Sequence, residues 1–592
     1  MALPNINTNP IKAVTRVRIW YGVLLLVMAV FGVRLFYVQV IRYGHFKNAA
    51  LSDQLKQYII PASRGVIEAN DDGQLVPIVL NQKLYTLFGD PTYVKDAYKT
   101  AAKITAIVGG NTDDVAKLLQ TPKTRYAVLA KKLTPDQNDK ILKLKLPGIG
   151  TTAQDYRTYP QGTLASQILG FVDDSGTGRY GLEEYFNKEL TGTPGTLRAI
   201  TDISGVPLAS SASNTEIPAK KGDDVVLTLD LAMQQQLETI LAKGVKNAKA
   251  PSGSAIIMDP RTGAVKAMAN YPSYDPARYF DIDSKDVGIF QNHAVNDAIE
   301  VGSTMKALTT AAALDQGVIQ PSTTYYDPAS WTVDKFKITN IEEDGGAGTR
   351  SIADILNLSL NTGATWELMQ MGGGEINTKA RTAWNDYLTN HYRFGQATGI
   401  EQGSESEGYI PSPKENGAGI DLTYANTSFG QALLATPIQM AGAMSAVLNG
   451  GTYYQPRLVD QTIDSAGKVT KHNPKVLNSN VVSPEVSKEM VPLMVNVVAK
   501  HYFTPSFDLS KYNVGGKTGT AQIAKPTGGY YDDQFNGTYA GFVGGDTPQY
   551  VIVVFIDKPT NGGYAGTAAA QPVFGDIAHM LIDESLVTPK SH

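Results

Sequence analysis

Two residues three positions apart, Ser303 and Lys306, have the side-chain types needed for covalent catalysis by serine. A serine hydroxyl is a poor nucleophile until a base removes its proton. A buried lysine can be that base, because burial lowers its pKa. The stretch 304–316 is rich in Ala and Leu and lacks Gly and Pro, which predicts a helix that begins near Gly302. On this helix Lys306 shares a face with Ser303, so the spacing predicts a nucleophile beside its base.

This pair is a weak signal when it stands alone, because chance supplies about one or two Ser-x-x-Lys patterns in a chain of this length. A second copy runs from Ser465 to Lys468, in a sequence typical of a solvated hairpin turn. Ser359-Leu360-Asn361 strengthens the first copy. It follows an apolar helical pattern that stops near Gly363, which predicts a helix-to-loop junction.

A third segment is Lys517-Thr518-Gly519-Thr520, which follows two glycines that let the backbone pass close to a ligand. Gly516-Lys517-Thr518 partly fits a P-loop, but a P-loop would need Gly at the position of Lys511, so nucleotide binding is not expected. The Ser-x-Asn residues also have a structural alternative, since both can stabilise a turn. The aromatic run 530–535 predicts a surface loop, with the acceptor side of a cleft as its alternative.

The three motifs in this order are the serine set of penicillin-binding proteins and serine β-lactamases. Further stretches match in order: Arg64–Ile67, Tyr159–Pro160, Leu169–Val172, Gly181–Glu183, Leu227–Asp230, Met258–Pro260, Thr262–Gly263, Phe429–Gln431, Thr436–Gln439 and Asn449–Gly451. The chain resembles a class B penicillin-binding protein, a monofunctional peptidoglycan D,D-transpeptidase, over nearly its whole length. Two positions depart from that family: Val301, where Pro is frequent, and His293, where Arg is common.

The resemblance implies a role for each motif residue. Ser303 attacks the penultimate D-alanine carbonyl of a stem peptide, and Lys306 takes its proton. Lys517 supplies the positive charge that helps to keep Lys306 neutral. Ser359 relays a proton to the leaving amine, and Asn361 binds the substrate amide and orients Lys306. Thr518, Gly519 and Thr520 bind the substrate. The backbone N–H groups of Ser303 and Thr520 form the oxyanion hole. No cofactor is implied, and β-lactams are expected to acylate the same serine.

Composition bounds the remaining possibilities. A chain of 592 residues is too long for one core, so two or three domains are expected. The net charge of −4 gives no field that favours nucleic acid. The absence of cysteine excludes disulfides and thiolate chemistry. The 7 histidines include no pair at metal-ligand spacing, so no metal is predicted.

The N-terminal region predicts a membrane anchor at 19–41, after a cytoplasmic tail at 1–18. The uncharged run Ile19–Val33 would rise only about 22 Å as a helix, short of the ~30 Å hydrocarbon core. Continuation to Ile41 is long enough if Arg34 snorkels to the interface. The alternative is a cleaved signal peptide, but no convincing small-x-small site follows the apolar run at the usual distance. The resemblance implies a cytoplasmic (inner) membrane protein with its N-terminus inside and its catalytic domain outside.

Two further segments complete the predicted organisation. The resemblance makes 42–215 an elongated, non-catalytic pedestal of the dimerisation type and 216–592 the transpeptidase domain, with a linker at Ala209–Asn214. Strand patterns at 225–229, 254–258, 264–268, 539–543 and 550–556 flank helical patterns. This order predicts an α+β fold, an antiparallel sheet packed with helices plus a helical subdomain that holds the site in a cleft.

The predicted function is cross-linking of stem peptides through a serine acyl-enzyme, with release of D-alanine. Gly181–Glu183 and the compact ending favour the septal, division type by analogy. One alternative is a hydrolase with the same first step, a D,D-carboxypeptidase or β-lactamase, which would need a group that activates water. The other is a β-lactam-binding sensor or scaffold subunit. Expected partners are stem peptides, β-lactams, a membrane glycan-strand polymerase and other division proteins, with no nucleic acid.

Overall fold

The computed structural model describes residues 10–47, 55–122, 124–200, 215–340, 346–414, 419–525 and 528–591. Contacts divide the chain into two compact units. One contains residues 1–63 and 192–221, and the other contains residues 64–191 and 222–592. The predicted linker at Ala209–Asn214 lies outside the described residues, and the four predicted segment boundaries stay predictions.

The smaller unit carries an apolar N-terminal helix, Pro10–Phe36, continued by a π-helical turn at Tyr37–Ile41. Within the described residues, Thr15–Ile41 is the one helix long and apolar enough to cross a membrane. Its 27 residues rise about 40 Å, which exceeds a bilayer's hydrocarbon core. Its apolar side chains face outward, with Trp20 73% exposed, so none of the described residues of the unit covers them. A three-stranded antiparallel sheet accompanies it, with strands in the order Leu55–Ile60, Gly195–Ile200 and Thr215–Ile217.

The larger unit is built on a five-stranded antiparallel sheet that joins distant parts of the chain. Its strands, in spatial order, are Val265–Tyr271, Ser252–Met258, Pro548–Asp557, Tyr530–Gly544 and Asn513–Ala524. Alternate side chains of one strand enter different hydrophobic clusters, Ala255 and Ile257 on one face and Ile256 and Met258 on the other. This architecture confirms the predicted antiparallel sheet for four of its five predicted strands, and the hairpin around Asp259–Gly263. The fifth predicted strand, at 225–229, belongs to a second sheet instead.

Helices cover both faces of this sheet. One face packs on Leu231–Asn247 and Gln571–Asp583, and the other on a group of helices: Met305–Asp315, Ile352–Asn357, Asn361–Gly372, Thr378–Asp386, Ile420–Ser428, Pro437–Leu448 and Pro484–Lys500. Met305–Asp315, here called the nucleophile helix, is buried at every position from Met305 to Leu314. A helix that is apolar on all sides must be enclosed, and its alanines let neighbours approach closely on every side. The site is therefore attached to an enclosed helix of the fold.

A second sheet in the larger unit includes most of the strands before residue 160. Its strands are Val469–Lys471, Val459–Ile463, Asp224–Asp230, Ile67–Asp71, Gln74–Gly89 and Ala127–Leu133, with Ile149–Thr158 also paired to Gln74–Gly89. Short helices follow these strands: Ala97–Val108, Thr112–Leu119, Pro135–Lys143, Ser166–Leu169, Gly181–Tyr185 and Asn187–Thr191. Short strands at Thr324–Asp327, Ser330–Val333, Phe336–Thr339, Gly348–Ser351, Tyr453–Tyr454, Val476–Asn478, Phe171–Val172 and Gly178–Arg179 form four two-stranded pairs.

Some of the matched sequence stretches meet in one buried ion cluster. Glu183, fully buried, accepts hydrogen bonds from Arg64 Nε and Arg157 Nε, each at 2.7 Å. Arg64 also reaches Asn187 and Thr191. A buried carboxylate needs such paired partners, because an uncompensated charge is costly away from water. The cluster accounts for the charged residues at positions 64 and 183.

Candidate active site

Ser303 lies in a single 3₁₀ turn, Gly302–Thr304, directly before the nucleophile helix. Gly302 has φ +59°, a left-handed conformation that favours glycine. Its N–H donates to the Gly430 carbonyl at 3.0 Å. A Cβ added at Gly302 would lie 2.9 Å from the carbonyl oxygen of Thr520 and 3.2 Å from its nitrogen. The backbones of the first and third motifs are therefore in close contact.

Lys306 is fully buried and joins the first motif to the second. Its Nζ lies 2.9 Å from Ser303 Oγ, 2.7 Å from Asn361 Oδ1 and 2.5 Å from the Ser359 carbonyl oxygen, with Ser359 Oγ at 3.2 Å. A neutral amine has two N–H groups and one lone pair. The amide oxygen and the carbonyl can only accept, so they engage the two N–H groups. The lone pair is then available to the Ser303 hydroxyl, which is the arrangement a general base requires.

The surroundings of Lys306 favour that neutral form. Burial lowers the pKa of Lys306 well below its ordinary value, and the charge of Lys517 lowers it further, whereas Glu367 raises it. Burial lowers the pKa of Lys517 in turn, to about 7. Two lysines that share one dry region cannot both hold a proton without strong repulsion. Proton acceptance at Lys306 is thus coupled to the charge state of Lys517.

The second motif follows the end of a helix, as predicted, but a second helix begins at Asn361, so the predicted stop near Gly363 is wrong. Ile352–Asn357 ends, Ser359 adopts φ +56°, and Asn361 begins the next helix. Gly363 lies inside that second helix, where a Cβ would meet Ile355 and the Tyr325 hydroxyl at 2.7 Å. This close packing leaves no room for a side chain at position 363, and the residues next to it in the sequence give no sign of that.

The third motif lies on the edge strand Asn513–Ala524 of the five-stranded sheet. Lys517 is 1% exposed, and its Nζ lies 3.1 Å from the Thr518 carbonyl oxygen and 3.3 Å from Thr518 Oγ1. Thr520 Oγ1 accepts the Gly566 N–H at 2.9 Å, which leaves its own proton for a ligand. A Cβ at Gly519 would lie 2.6 Å from the Val301 carbonyl oxygen, so this position admits only glycine. An extended strand here also excludes the P-loop alternative.

A cleft of about 500 Å³ opens over these groups. Its lining comprises Ser303, Asn357, Leu358, Ser359, Asn361, Phe429, Gln431, His501, Thr518, Thr520, Gln522, Phe535, Tyr564 and Thr567. Of the predicted site residues, five line this cleft: Ser303, Ser359, Asn361, Thr518 and Thr520. Lys306, Lys517 and Gly519 are not part of the lining. The second Ser-x-x-Lys copy, Ser465 to Lys468, forms an exposed turn between the strands Val459–Ile463 and Val469–Lys471, as predicted.

The prediction of a surface loop at 530–535 is wrong. This run begins the strand Tyr530–Gly544, Phe535 lines the cleft, and the Tyr530 hydroxyl donates to Glu300 Oε1 at 2.8 Å. Charged and polar residues in the run hid its strand character, which pairing with the third-motif strand imposes.

Sequence reasoning also missed two titratable residues near the motifs. Glu367 is fully buried, accepts the Thr310 hydroxyl at 2.8 Å, and has a pKa raised by burial to about 8. His501 lines the cleft, and burial followed by the charge of Lys517 lowers its pKa. Neither belongs to a motif, and no spacing signal links either one to Ser303.

Comparison with known proteins agrees with this geometry. The family profile described as penicillin binding protein transpeptidase domain matches residues 253–579, and the penicillin-binding protein dimerisation domain matches residues 59–227. Stage V sporulation protein D of Bacillus subtilis is 31% identical, over 97% of this chain and 86% of its own length. Peptidoglycan D,D-transpeptidase FtsI of Escherichia coli is 28% identical, over 94% and 89% respectively. Penicillin-binding protein PbpB of Mycobacterium tuberculosis is 29% identical, over 98% and 87%.

Solved structures show the same fold. Penicillin-binding protein 2X from Streptococcus thermophilus superposes with a TM-score of 0.71 at 23% identity, covering 90% of this chain and 80% of that one. Penicillin-binding protein 3 from Mycobacterium tuberculosis, complexed with aztreonam, gives 0.68 at 24% identity, covering 90% and 98%. Because the transpeptidase profile alone spans more than half of the sequence and the dimerisation profile precedes it, this chain belongs to the penicillin-binding protein transpeptidase family, as a class B member.

Proposed function

We propose that this chain is a peptidoglycan D,D-transpeptidase that cross-links stem peptides through an acyl-enzyme on Ser303. The observation that carries the proposal is the contact of Lys306 Nζ with Ser303 Oγ at 2.9 Å, while two pure acceptors engage its N–H groups. No other arrangement of that amine leaves both acceptors satisfied and the hydroxyl activated.

In the acylation step, Ser303 Oγ forms a bond to the penultimate D-alanine carbonyl carbon and gives its proton to Lys306. The N–H groups of Ser303 and Thr520 stabilise the oxyanion, as the adjacency of the two backbones supports. The C–N bond to the terminal D-alanine then breaks. The departing amine receives a proton through Ser359, whose Oγ lies 3.2 Å from Lys306 Nζ.

The terminal carboxylate of the donor peptide is held by the third motif. The Thr518 and Thr520 hydroxyls face the cleft, and Lys517 lies beneath them. Burial lowers the pKa of Lys517 to about 7 when no substrate is bound. A bound carboxylate favours the protonated form of this lysine, because opposite charges attract. Substrate binding thus supplies the positive charge that favours a neutral Lys306 when the base is needed.

In the second half of the reaction, an amine from a neighbouring stem peptide attacks the acyl carbon and releases Ser303. The apolar part of the cleft, from Phe429, Phe535 and Tyr564, limits the access of water. Exclusion of water favours the amine and therefore transfer over hydrolysis.

The cellular setting of the proposal is the septum. We place the N-terminus inside the cytoplasmic membrane and the catalytic domain outside it, with a membrane glycan-strand polymerase and other division proteins as partners. The apolar helix Thr15–Ile41 and the similarity to peptidoglycan D,D-transpeptidase FtsI support this setting. Depletion is expected to produce filaments, whereas round cells would indicate side-wall elongation instead.

The enzymatic proposal is tested by incubating the purified chain with a stem-peptide donor and an amine acceptor. We expect one D-alanine released for each cross-linked product, and neither product from the Ser303→Ala variant. D-alanine release without cross-links at saturating acceptor would contradict the transpeptidase and identify a hydrolase.

A further inference from the structure

His501 lies at a crossing of three elements that carry the site. It directly follows the helix Pro484–Lys500, and that helix packs against both the third-motif strand and the helix Ile352–Asn357. The imidazole is partly exposed and lines the cleft with Ser303 and Ser359. None of the three serine-motif segments contains it.

The ring makes one directed contact. His501 Nε2 lies 3.1 Å from the carbonyl oxygen of Asn357. A carbonyl can only accept, so the proton of a neutral ring is assigned to Nε2. Asn357 is the last residue of its helix, and the final carbonyls of a helix have no partner within it. The hydrogen bond from His501 therefore satisfies a helix end that would otherwise need water.

The residues beyond that carbonyl form a demanding turn. Ser359 has φ +56°, a left-handed conformation that is unfavourable for a non-glycine residue. Two carbonyls of the turn are held from outside, that of Asn357 by His501 and that of Ser359 by Lys306. The Lys306 contact comes from the base itself, whereas the His501 contact takes no part in the proton transfer. His501 thus supports the turn independently of the base.

We propose that His501 is a positioning residue: its hydrogen bond to Asn357 holds the turn so that the Ser359 hydroxyl stays within reach of Lys306 and of the leaving amine. The proposal rests on the proposed transpeptidase chemistry and adds a residue outside its motifs. The expected consequence is a slower chemical step with little change in substrate affinity, because the carboxylate site on the third motif is untouched.

Three substitutions distinguish loss of the hydrogen-bond donor from loss of the imidazole ring. In His501→Gln the amide nitrogen is as many bonds from Cβ as Nε2 is, so the donor is kept. In His501→Asn the amide nitrogen is one bond shorter and cannot reach, and His501→Leu has similar bulk without a donor. Loss of one hydrogen bond of about 1.4 kcal/mol corresponds to about a tenfold change.

The first measurement is amide hydrogen exchange of the full chain in detergent, which needs no activity. We expect exchange across residues 357–361 to be about tenfold faster in the Asn and Leu variants, with the Gln variant like the wild type. Unchanged exchange in the Asn and Leu variants would overturn the proposal, and so would equally fast exchange in all three.

The second measurement is penicillin acylation. We expect the first-order rate constant at saturating penicillin to fall about tenfold in the Asn and Leu variants and less than twofold in the Gln variant, with the half-saturating concentration unchanged. If exchange changes but this rate constant does not, His501 is only structural and the positioning role is rejected. If the wild type itself is not acylated, the proposed function fails instead, while the exchange measurement still decides whether His501 supports the turn.

Discussion

Replacement of Lys517 by Met is expected to stabilise the protein while it disables the site. Lys517 is 1% exposed, and burial lowers its pKa from 10.5 to about 7. The side chain makes hydrogen bonds only to its neighbour Thr518 among the described contacts, with no carboxylate paired to it. Methionine has similar length and no charge, so it fills the same space without the cost of an amine away from water.

The magnitude follows from the lowered pKa. One pKa unit corresponds to about 1.4 kcal/mol, so burial of this lysine costs roughly 4 kcal/mol at pH 7. Loss of the two contacts with Thr518 offsets about 1–2 kcal/mol of the gain, since each neutral hydrogen bond contributes about 1 kcal/mol. We therefore expect Lys517→Met to be about 2 kcal/mol more stable at pH 7.

The sign of the pH dependence is also defined. The folded-state pKa lies below that of the unfolded chain, so the cost is full below pH 7 and disappears as the pH approaches 10.5. The advantage of Lys517→Met should therefore shrink between pH 7 and pH 10. Thermal unfolding of both proteins in detergent over this range measures it. In the same samples, acylation by fluorescent penicillin should fall about 10- to 100-fold, the loss expected for a hydrogen bond to a charged group.

Lys468→Met is the matched control, because Lys468 belongs to the exposed second Ser-x-x-Lys copy. It should change neither the midpoint of unfolding nor the acylation rate. A Lys517→Met protein that is less stable than the wild type at pH 7, or one that acylates normally, would refute the reasoning about the buried amine.

Three other predictions address neighbouring groups. The second-order rate constant of acylation should rise with pH as Lys306 loses its proton at its lowered pKa, and fall above about pH 7 as Lys517 becomes neutral and binds carboxylate less well; a rate that continues to rise to pH 10 would contradict both assignments. Ser359→Ala and Ser359→Gly should each slow acylation about 10²- to 10⁴-fold, but the Gly variant should be the more stable of the two, since only glycine relieves φ +56°; equal unfolding midpoints would argue against strain at this turn. Glu367→Gln keeps the acceptor for the Thr310 hydroxyl and removes a buried acid whose pKa is raised to about 8. The wild type should therefore lose stability relative to the variant as the pH rises from 4.5 to 8. A difference between the two unfolding midpoints that is constant over that range would contradict a buried titrating carboxyl.

Much of the fold could be predicted because its signals are local. The hairpin around Asp259–Gly263, the strand 550–556 and the helix after Ser303 all have patterns contained within a dozen residues. The three candidate motifs could be located from residue type and order alone, and the structure brings Ser303, Lys306, Ser359 and Asn361 into direct contact.

The errors arose where distant packing overrides local preference. Gly363 suggests the end of a helix, but it is inside one because Ile355 and Tyr325 leave no room for a side chain. Tyr530 begins a strand because it pairs with Ala524 of the third-motif strand, a pairing that the polar residues of the run do not reveal. His501 and Glu367 come close to the motifs only in three dimensions, so no spacing within the sequence could have singled them out.

The most direct test of a serine acyl-enzyme is the mass of the intact protein after exposure to benzylpenicillin. We predict an increase equal to one complete penicillin molecule, which peptide mapping assigns to Ser303, and no increase for Ser303→Ala at the same concentration. A Ser303→Ala protein that still gains that mass, or a wild type whose adduct maps to another residue, would contradict the assignment of Ser303 as the nucleophile.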